Sequence, residues 1–171
     1  MKKVKVLLMG FLMVIAFSVF FSSKAEADIN GGGPVYRLYN PKNGDHLYTQ
    51  FESERDHLVR NEWRNETYGK TNFYFLSAQM YTSRKQAWRL YNPKMDRHML
   101  TTDSSERAHL VKNGWNSEST AMFMVYTFGE PIYRMYNPNN PAWVYVRSAE
   151  ANNLVRAGWQ RQRIEFYVEP M

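Results

Sequence analysis

The sequence predicts a mainly β protein with short helices, in which three copies of one unit lie around a pseudo-threefold axis. The first observation is a recurring motif, Tyr/Trp-Arg-Leu/Met-Tyr-Asn-Pro, at residues 36–41, 88–93 and 133–138. The second is a tryptophan nine residues after a glutamate in every copy. The third is the absence of cysteine from the 171-residue chain, which leaves a packed core as the source of stability.

The copies align well beyond the motif. The glutamate–tryptophan pairs are Glu54 with Trp63, Glu106 with Trp115, and Glu150 with Trp159. A unit this small cannot bury its apolar face alone, so the three copies are expected to form one domain. We assign that domain to residues 28–171 and its repeats to residues 34–80, 86–128 and 131–169.

Each copy predicts a strand, a second strand, a short helix and a third strand. The motif alternates and is rich in β-formers, and Asn-Pro ends the first strand because proline lacks the amide donor. Residues 43–45, Asn-Gly-Asp, predict a hairpin turn. Residues 103–106 predict a helix start with a capping box, and the glycines of 113–114 and 157–158 a helix end. The third strands are predicted over residues 72–76, 122–126 and 165–168.

Closure on a threefold axis favours a β-trefoil-like arrangement, with a small propeller-like ring as the alternative. A trefoil unit has four strands, whereas three are visible in each copy here. An insertion near residues 68–70 and a connection over residues 77–87 are predicted to lie in surface loops.

Residues 1–27 have the order of a secretory signal peptide. A lysine-rich start precedes an apolar run from Val6 to Phe21, and Ala25-Glu26-Ala27 is a small-x-small cleavage site. The run is shorter than the roughly 20 residues needed to cross a membrane, which argues against an anchor. We therefore expect cleavage after Ala27 and a secreted, extracellular protein that does not span a membrane.

Charge and cysteine usage exclude several classes of function. Residues 1–27 hold four lysines and one glutamate, so the net charge falls from +6 for the whole chain to +3 for residues 28–171. The basic residues are spread through every copy instead of forming a stripe, which argues against a nucleic-acid partner. Without cysteine, thiol catalysis and cysteine-ligated zinc are excluded. We expect a monomer without a cofactor.

The order of the motifs resembles a known family. Aromatic-Arg-Leu-Tyr-Asn-Pro, then Gly-Asp-His-Leu-Tyr-Thr, Glu-Arg-x-x-Leu-Val and Gly-Trp, is similar to a bacterial repeat of unknown function, DUF5648, over nearly all of residues 28–171. The first copy departs at Glu62, where the others have glycine, and the third at Ala142-Trp143, where the pattern has Asp-His. The resemblance implies a secreted protein with an accessory, surface-binding role, and it implies no particular ligand.

The histidines raise the question of a metal site. His46 matches His98 and His57 matches His109, but the third copy has Trp143 and Asn153 at these positions. No single copy offers a dense set of ligands, so we expect no metal.

The glutamates Glu54, Glu106 and Glu150 raise the question of glycoside hydrolysis. That reaction needs two carboxylates about 5–10 Å apart, whereas residues on separate threefold-related units are usually farther apart. Their place in the first helical turn favours a role in capping and with the helix dipole. No Ser-His-Asp set, phosphate loop or zinc motif occurs, so we expect no catalytic residues.

The first strands carry the candidate binding surface. Each motif arginine and the tyrosine two residues later share one face, which leaves the opposite face, Tyr36, Trp88 or Tyr133 with the adjacent Leu or Met, for the core. An aromatic ring beside a guanidinium and an amide suits a sugar. The alternative is that the arginine stacks on the tyrosine and stiffens the unit. The candidate ligand-binding residues are Arg37, Tyr39, Asn40, Asp45, His46, Arg89, Tyr91, Asn92, His98, Arg134, Tyr136 and Asn137.

The leading functional hypothesis is a secreted, non-catalytic module that binds cell-wall or other extracellular polysaccharides. Three weak sites on one repetitive polymer would reinforce one another. The alternatives are a bacteriocin-like or toxin protein that acts on other cells, and an extracellular hydrolase.

Overall fold

The computed structural model describes residues 34–67, 73–74 and 84–168. The predicted signal peptide, the insertion at residues 68–70 and residues 77–83 of the predicted connection lie outside these residues. The described residues form ten strands and three helices of nine residues each. Within this part of the chain, none of the helices has the length and apolarity that crossing a membrane requires.

The elements repeat in the predicted order. The first repeat contains β1 (Pro34–Tyr39), β2 (His46–Thr49), α1 (Glu52–Arg60), β3 (Arg64–Asn65) and β4 (Phe73–Tyr74). The second contains β5 (Arg84–Asn92), β6 (Arg97–Thr101), α2 (Ser104–Lys112) and β7 (Asn116–Tyr126). The third contains β8 (Glu130–Asn137), β9 (Ala142–Val146), α3 (Ser148–Arg156) and β10 (Gln160–Val168).

The strands form two antiparallel sheets. The first repeat makes a four-stranded sheet of order β2-β1-β3, with β4 also paired to β1. The second and third repeats share a six-stranded sheet of order β6-β5-β7-β10-β8-β9. The motif strand of each repeat pairs with the second and the third strand of its own repeat. The mainly β class is confirmed, while the β-trefoil-like and propeller-like arrangements remain predictions.

The third strands of the second and third repeats begin earlier than predicted. Strand β7 starts at Asn116 instead of residue 122, and β10 at Gln160 instead of residue 165. Their first residues, 116–118 and 160–162, are polar and none of them is buried, so they lack the apolar alternation by which a strand is recognised from sequence. Backbone pairing with the motif strand, as between Tyr91 and Asn116, nevertheless holds these residues in a β-strand.

Of the two apolar residues that each motif was predicted to bury, one lies in the core and the other at the edge of the core. Leu38, Leu90 and Met135 are completely buried, as predicted. The aromatic residue two positions before each of them, which was also predicted to be core, is only partly buried. One ring face of each is covered by a guanidinium carbon 4.4–5.4 Å from the ring centre, which is cation–π geometry. The pairs are Tyr36 with Arg55, Trp88 with Arg107, and Tyr133 with Arg161.

The helix boundaries follow the predicted signals. The Asp103 carboxylate accepts hydrogen bonds from the backbone N–H groups of Ser105 and Glu106, which confirms the N-cap of α2. Gly114 and Gly158 follow the helix ends with φ of +89° and +90°, a left-handed conformation that glycine adopts without the usual steric cost. In the first repeat this position is Glu62, at φ of +70°.

Second strands of different repeats are joined by tyrosine hydroxyls. The Tyr48 hydroxyl donates to the carbonyl of Tyr145 and accepts from its N–H, at 3.2 and 2.9 Å. The Tyr145 hydroxyl makes the same pair of bonds to Leu100, at 2.5 and 2.7 Å. Leu100, the matching residue of the second repeat, has no hydroxyl with which to make the third such contact, to Tyr48. The Tyr48 carbonyl instead accepts a hydrogen bond of 2.9 Å from Arg89 Nη1. These bonds link all three repeats in the interior.

The three hairpin turns meet at Arg97, which is 8% exposed. Its guanidinium donates five hydrogen bonds of 2.6–3.2 Å to oxygens from all three repeats. Gly44 allows the first and third turns to approach each other, because a Cβ at this position would clash with Nδ2 of Asn140. The acceptors are the carbonyls of Asn43, Met95, Asp96 and Pro141 and the side-chain oxygen of Asn140.

Candidate functional site

The motif arginines form ion pairs that connect the repeats in a cycle. Arg89 of the second repeat binds Glu54 of the first through its two terminal nitrogens, Nη1 and Nη2, at 3.0 and 2.7 Å. Arg134 of the third binds Glu106 of the second in the same bidentate way, at 3.0 Å for each contact. The cycle is closed by Arg37 of the first repeat and Glu150 of the third, with Nη1 and Oε1 3.0 Å apart.

These ion pairs perturb the ionisation of the carboxylates. Burial opposes ionisation of Glu54, but the charge and hydrogen bonds of Arg89 outweigh it and hold the pKa of Glu54 below its ordinary value. Burial likewise opposes ionisation of Glu106, and hydrogen bonds from Arg134 and Thr101 outweigh it, so the pKa of Glu106 is also lowered. Both carboxylates are therefore held in the charged form that the arginine binds.

The cycle changes the interpretation of two sets of candidate residues. The helix-start glutamates were expected to act through capping, and their structural role is instead to bind an arginine of another repeat. The motif arginines Arg37, Arg89 and Arg134 are only 5–7% exposed and carry these ion pairs. Their part in ligand binding stays a prediction. A sequence signal for the pairs exists, because every copy keeps both residues with nearly constant spacing.

The motif tyrosines lie beside the predicted histidines and form the more accessible part of the site. In each repeat the tyrosine ring packs against the first or second side chain of the following strand, with centroids 4.8–5.4 Å apart and planes inclined by 33–42°. The three pairs, which we call the aromatic clusters, are Tyr39 with His46, Tyr91 with His98, and Tyr136 with Trp143.

A tryptophan of the preceding repeat extends two of the clusters. Trp63 packs edge-on against His98, with centroids 6.5 Å apart, and Trp115 against Trp143 at 5.7 Å. These tryptophans could not be assigned to the site from sequence, because they lie in a different copy from the residues that they contact. The second and third clusters therefore form at boundaries between repeats.

Two histidines of the clusters contact carboxylates. Asp45, which is 1% exposed, accepts from the His98 backbone N–H at 2.9 Å and lies 2.6 Å from its Nδ1. Nε2 of His98 is 3.7 Å from Glu118, and Nε2 of His46 is 3.6 Å from Glu66. Asp45, a predicted ligand-binding residue, thus lies in the interior, where it joins the first repeat to the second.

The motif asparagines shape the hairpin turns. Each side-chain oxygen accepts a hydrogen bond of 3.0 Å from the backbone N–H two residues later, as Asn40 does from Lys42. This contact is an Asx turn, which holds the start of the hairpin loop. The other two predicted asparagines, Asn92 and Asn137, do the same, so all three lie beside the clusters at the end of the first strand.

A small depression lies between the first two clusters. It is lined by His46, His98, Arg89 and the interior residues around Tyr48, and it is too narrow to admit a water molecule. The depression is therefore too small to enclose a sugar, and binding at this face would use exposed ring surfaces.

The carboxylates of the described residues are bound mainly by arginines. Within residues 34–67, 73–74 and 84–168, no group of three histidine, aspartate or glutamate side chains is placed to hold a metal ion. The helix-start glutamates each bind a guanidinium, and Glu165, which is 1% exposed, contacts Arg163 at 2.8 Å.

Fold and contacts together define a mainly β protein of three repeats, joined by buried Arg–Glu pairs and carrying one aromatic cluster in each repeat. Residues 16–125 and 86–171 both match the family described as domain of unknown function (DUF5648). The chain therefore belongs to this family, which confirms the resemblance noted from its motifs. The two matches overlap across the second repeat. No curated protein and no solved structure gives a significant match.

Proposed function

We propose that this protein is a secreted, non-catalytic binding protein for cell-wall or other extracellular polysaccharides. The single observation that carries the proposal is the aromatic cluster, which recurs in all three repeats with nearly constant ring spacing and inclination. Core packing alone does not require these rings to keep partial exposure, yet Tyr39, Tyr91 and Tyr136 are all partly exposed.

Partly exposed rings suit sugars for a chemical reason. A pyranose has faces of C–H groups that pack on an aromatic ring, while its hydroxyls bond to nearby polar groups or to water. The clusters combine such rings with the polar hairpin turns that Asn40, Asn92 and Asn137 shape. The polymer would lie across the surface, since the depression near His46 is too small to enclose a sugar unit.

Three related clusters on one chain fit a repetitive ligand. Once one cluster has bound a polymer, the next sugar units are held at high local concentration near the other two. We further propose that the repeats close around a pseudo-threefold axis in a β-trefoil-like or ring-like manner. The cycle of Arg–Glu pairs and the meeting of three hairpin turns at Arg97 support this arrangement.

The proposal is tested by co-sedimentation of residues 28–171 with insoluble chitin, cellulose and peptidoglycan at low and high salt. Because stacking on a ring is not screened by salt, the bound fraction should persist at high ionic strength. A Tyr39→Ala/Tyr91→Ala/Tyr136→Ala variant should lose binding. The matched control is Phe128→Ala, which removes an exposed aromatic ring outside the clusters.

Folding of every variant is verified by circular dichroism and by its melting temperature. Binding that disappears at high salt and survives in the triple variant would refute the proposal. Release of reducing sugar would indicate a hydrolase, and inhibition of bacterial growth without polysaccharide binding would indicate a toxin. Either result would also overturn the proposal.

A further inference from the structure

The three aromatic clusters differ at the residue that packs on the tyrosine. It is His46 in the first repeat, His98 in the second and Trp143 in the third. An indole offers a larger apolar face than an imidazole, and it carries one N–H donor and no titratable group. The chemistry that each cluster presents to a ligand is therefore different.

The histidine clusters face carboxylates. Nδ1 of His98 is 2.6 Å from Asp45, and Nε2 of the same ring is 3.7 Å from Glu118. His46 has Glu66 3.6 Å from its Nε2. Both ring nitrogens of His98 and Nε2 of His46 thus face carboxylates of the protein, and the side chains of His46 and His98 are only 10% and 13% exposed.

The third cluster lacks the matching carboxylate. Glu118 lies opposite Arg89 in the strand pairing, and the N–H of Glu66 bonds to the carbonyl of Arg37, whereas the residue opposite Arg134 is Arg163. Arg163 is bound to Glu106 and Glu165, at 2.6 and 2.8 Å. The position that carries a glutamate in the first two repeats therefore carries no negative charge in the third.

The third cluster is also the most aromatic. Trp143 lies between two rings, with its centroid 5.4 Å from Tyr136 and 5.7 Å from Trp115. Arg97, which matches Asp45 in the repeat, directs its guanidinium to oxygens of the hairpin turns. Trp115 is 8% exposed, whereas Tyr136 and Trp143 are partly exposed, so these two rings supply the accessible aromatic surface of the third cluster.

We propose that the third cluster is the principal ligand site and that Trp143 is its specificity-determining residue, selecting an uncharged pyranose polymer. This inference rests on the proposed function. The first two clusters then bind the polymer more weakly, and His98 of the second also joins two repeats through its contact with Asp45.

The test is a depletion isotherm of residues 28–171 on insoluble chitin and cellulose, both of which are uncharged. The variant Trp143→His places in the third repeat the residue that the other two copies already carry, so it is expected to fold. It should weaken binding about five- to tenfold through lost ring contact. The variant Tyr39→Ala in the first cluster should weaken binding less than Trp143→His does, and Phe128→Ala, which lies outside the clusters, should change the affinity less than twofold.

A reciprocal variant separates loss of binding from loss of fold. His46→Trp gives the first repeat the Tyr–Trp pair of the third and should raise the affinity for the same polymers. Equal losses from Trp143→His and Tyr39→Ala, or an unchanged affinity in Trp143→His, would overturn the inference while leaving the proposed function in place. Failure of the unmodified protein to bind any polysaccharide would overturn both.

Discussion

Removal of the Arg89 guanidinium should destabilise the protein strongly. Arg89 is 5% exposed and contacts Glu54 at 2.7 Å, Glu118 at 2.6 Å and the Tyr48 carbonyl at 2.9 Å. In Arg89→Met, the Glu54 carboxylate, whose side chain is 16% exposed, keeps its charge and loses its main partner. Breaking one side of a buried ion pair costs roughly 3–5 kcal/mol, because the remaining charge stays desolvated and unpaired.

The assay is chemical and thermal unfolding followed by circular dichroism. At about 2–4 °C per kcal/mol for a domain of this size, the loss corresponds to a fall in melting temperature of roughly 6–20 °C. The double variant Arg89→Met/Glu54→Gln should recover part of the loss, since it removes the unpaired charge as well. The control is Lys42→Ala, which breaks the exposed pair with Glu62 and should leave the midpoint unchanged.

A loss below about 1 kcal/mol for Arg89→Met, which is the range of an exposed ion pair, would contradict this prediction. An equally large loss in the Lys42→Ala control would also refute it. Either outcome would mean that the cycle of Arg–Glu pairs does not hold the repeats together.

Three further predictions concern pH and the helix ends. As pH falls below the ordinary glutamate value of 4.5, the unfolded chain takes up protons before Glu54 and Glu106 do, so stability should decrease and acid titration of unfolding should show it. Burial raises the pKa of Tyr48 and Tyr145, so the folded protein keeps both phenol protons above pH 10 while the unfolded chain releases them. Stability should therefore decrease again as pH rises past 10, as unfolding measured at alkaline pH will check. Gly114→Ala should cost about 1 kcal/mol, because the left-handed φ is retained while the added Cβ meets no atom within 4 Å, and denaturant unfolding measures that cost directly.

Local elements were predictable because their signals are local. Alternation within the motif buries Leu38, Leu90 and Met135, and the turn and cap residues stop the strands and helices near the expected positions. Such signals depend on backbone conformations and side chains a few residues apart. The exposed, polar starts of β7 and β10 were missed, since only pairing with a neighbouring strand makes those residues extended.

Contacts between repeats were not predictable from any single copy. The sequence shows that every copy keeps an arginine and a glutamate, but not that Arg89 binds Glu54 of the preceding repeat instead of Glu106 of its own. The same holds for Trp63, which contributes to a cluster of the next repeat. These pairings depend on how whole units pack against one another.

Local patterns in the sequence thus establish the three-copy organisation, the element order and the tyrosines and histidines of the candidate site. The pairing of charges and the contacts of rings across a boundary depend instead on how the repeats pack against one another. Asp45, Arg97 and Ala142 occupy matching positions, yet the three turns meet at Arg97, which makes five hydrogen bonds to oxygens of all three repeats. A local pattern can repeat in every copy, whereas a contact shared by all three copies is made by a residue of one of them.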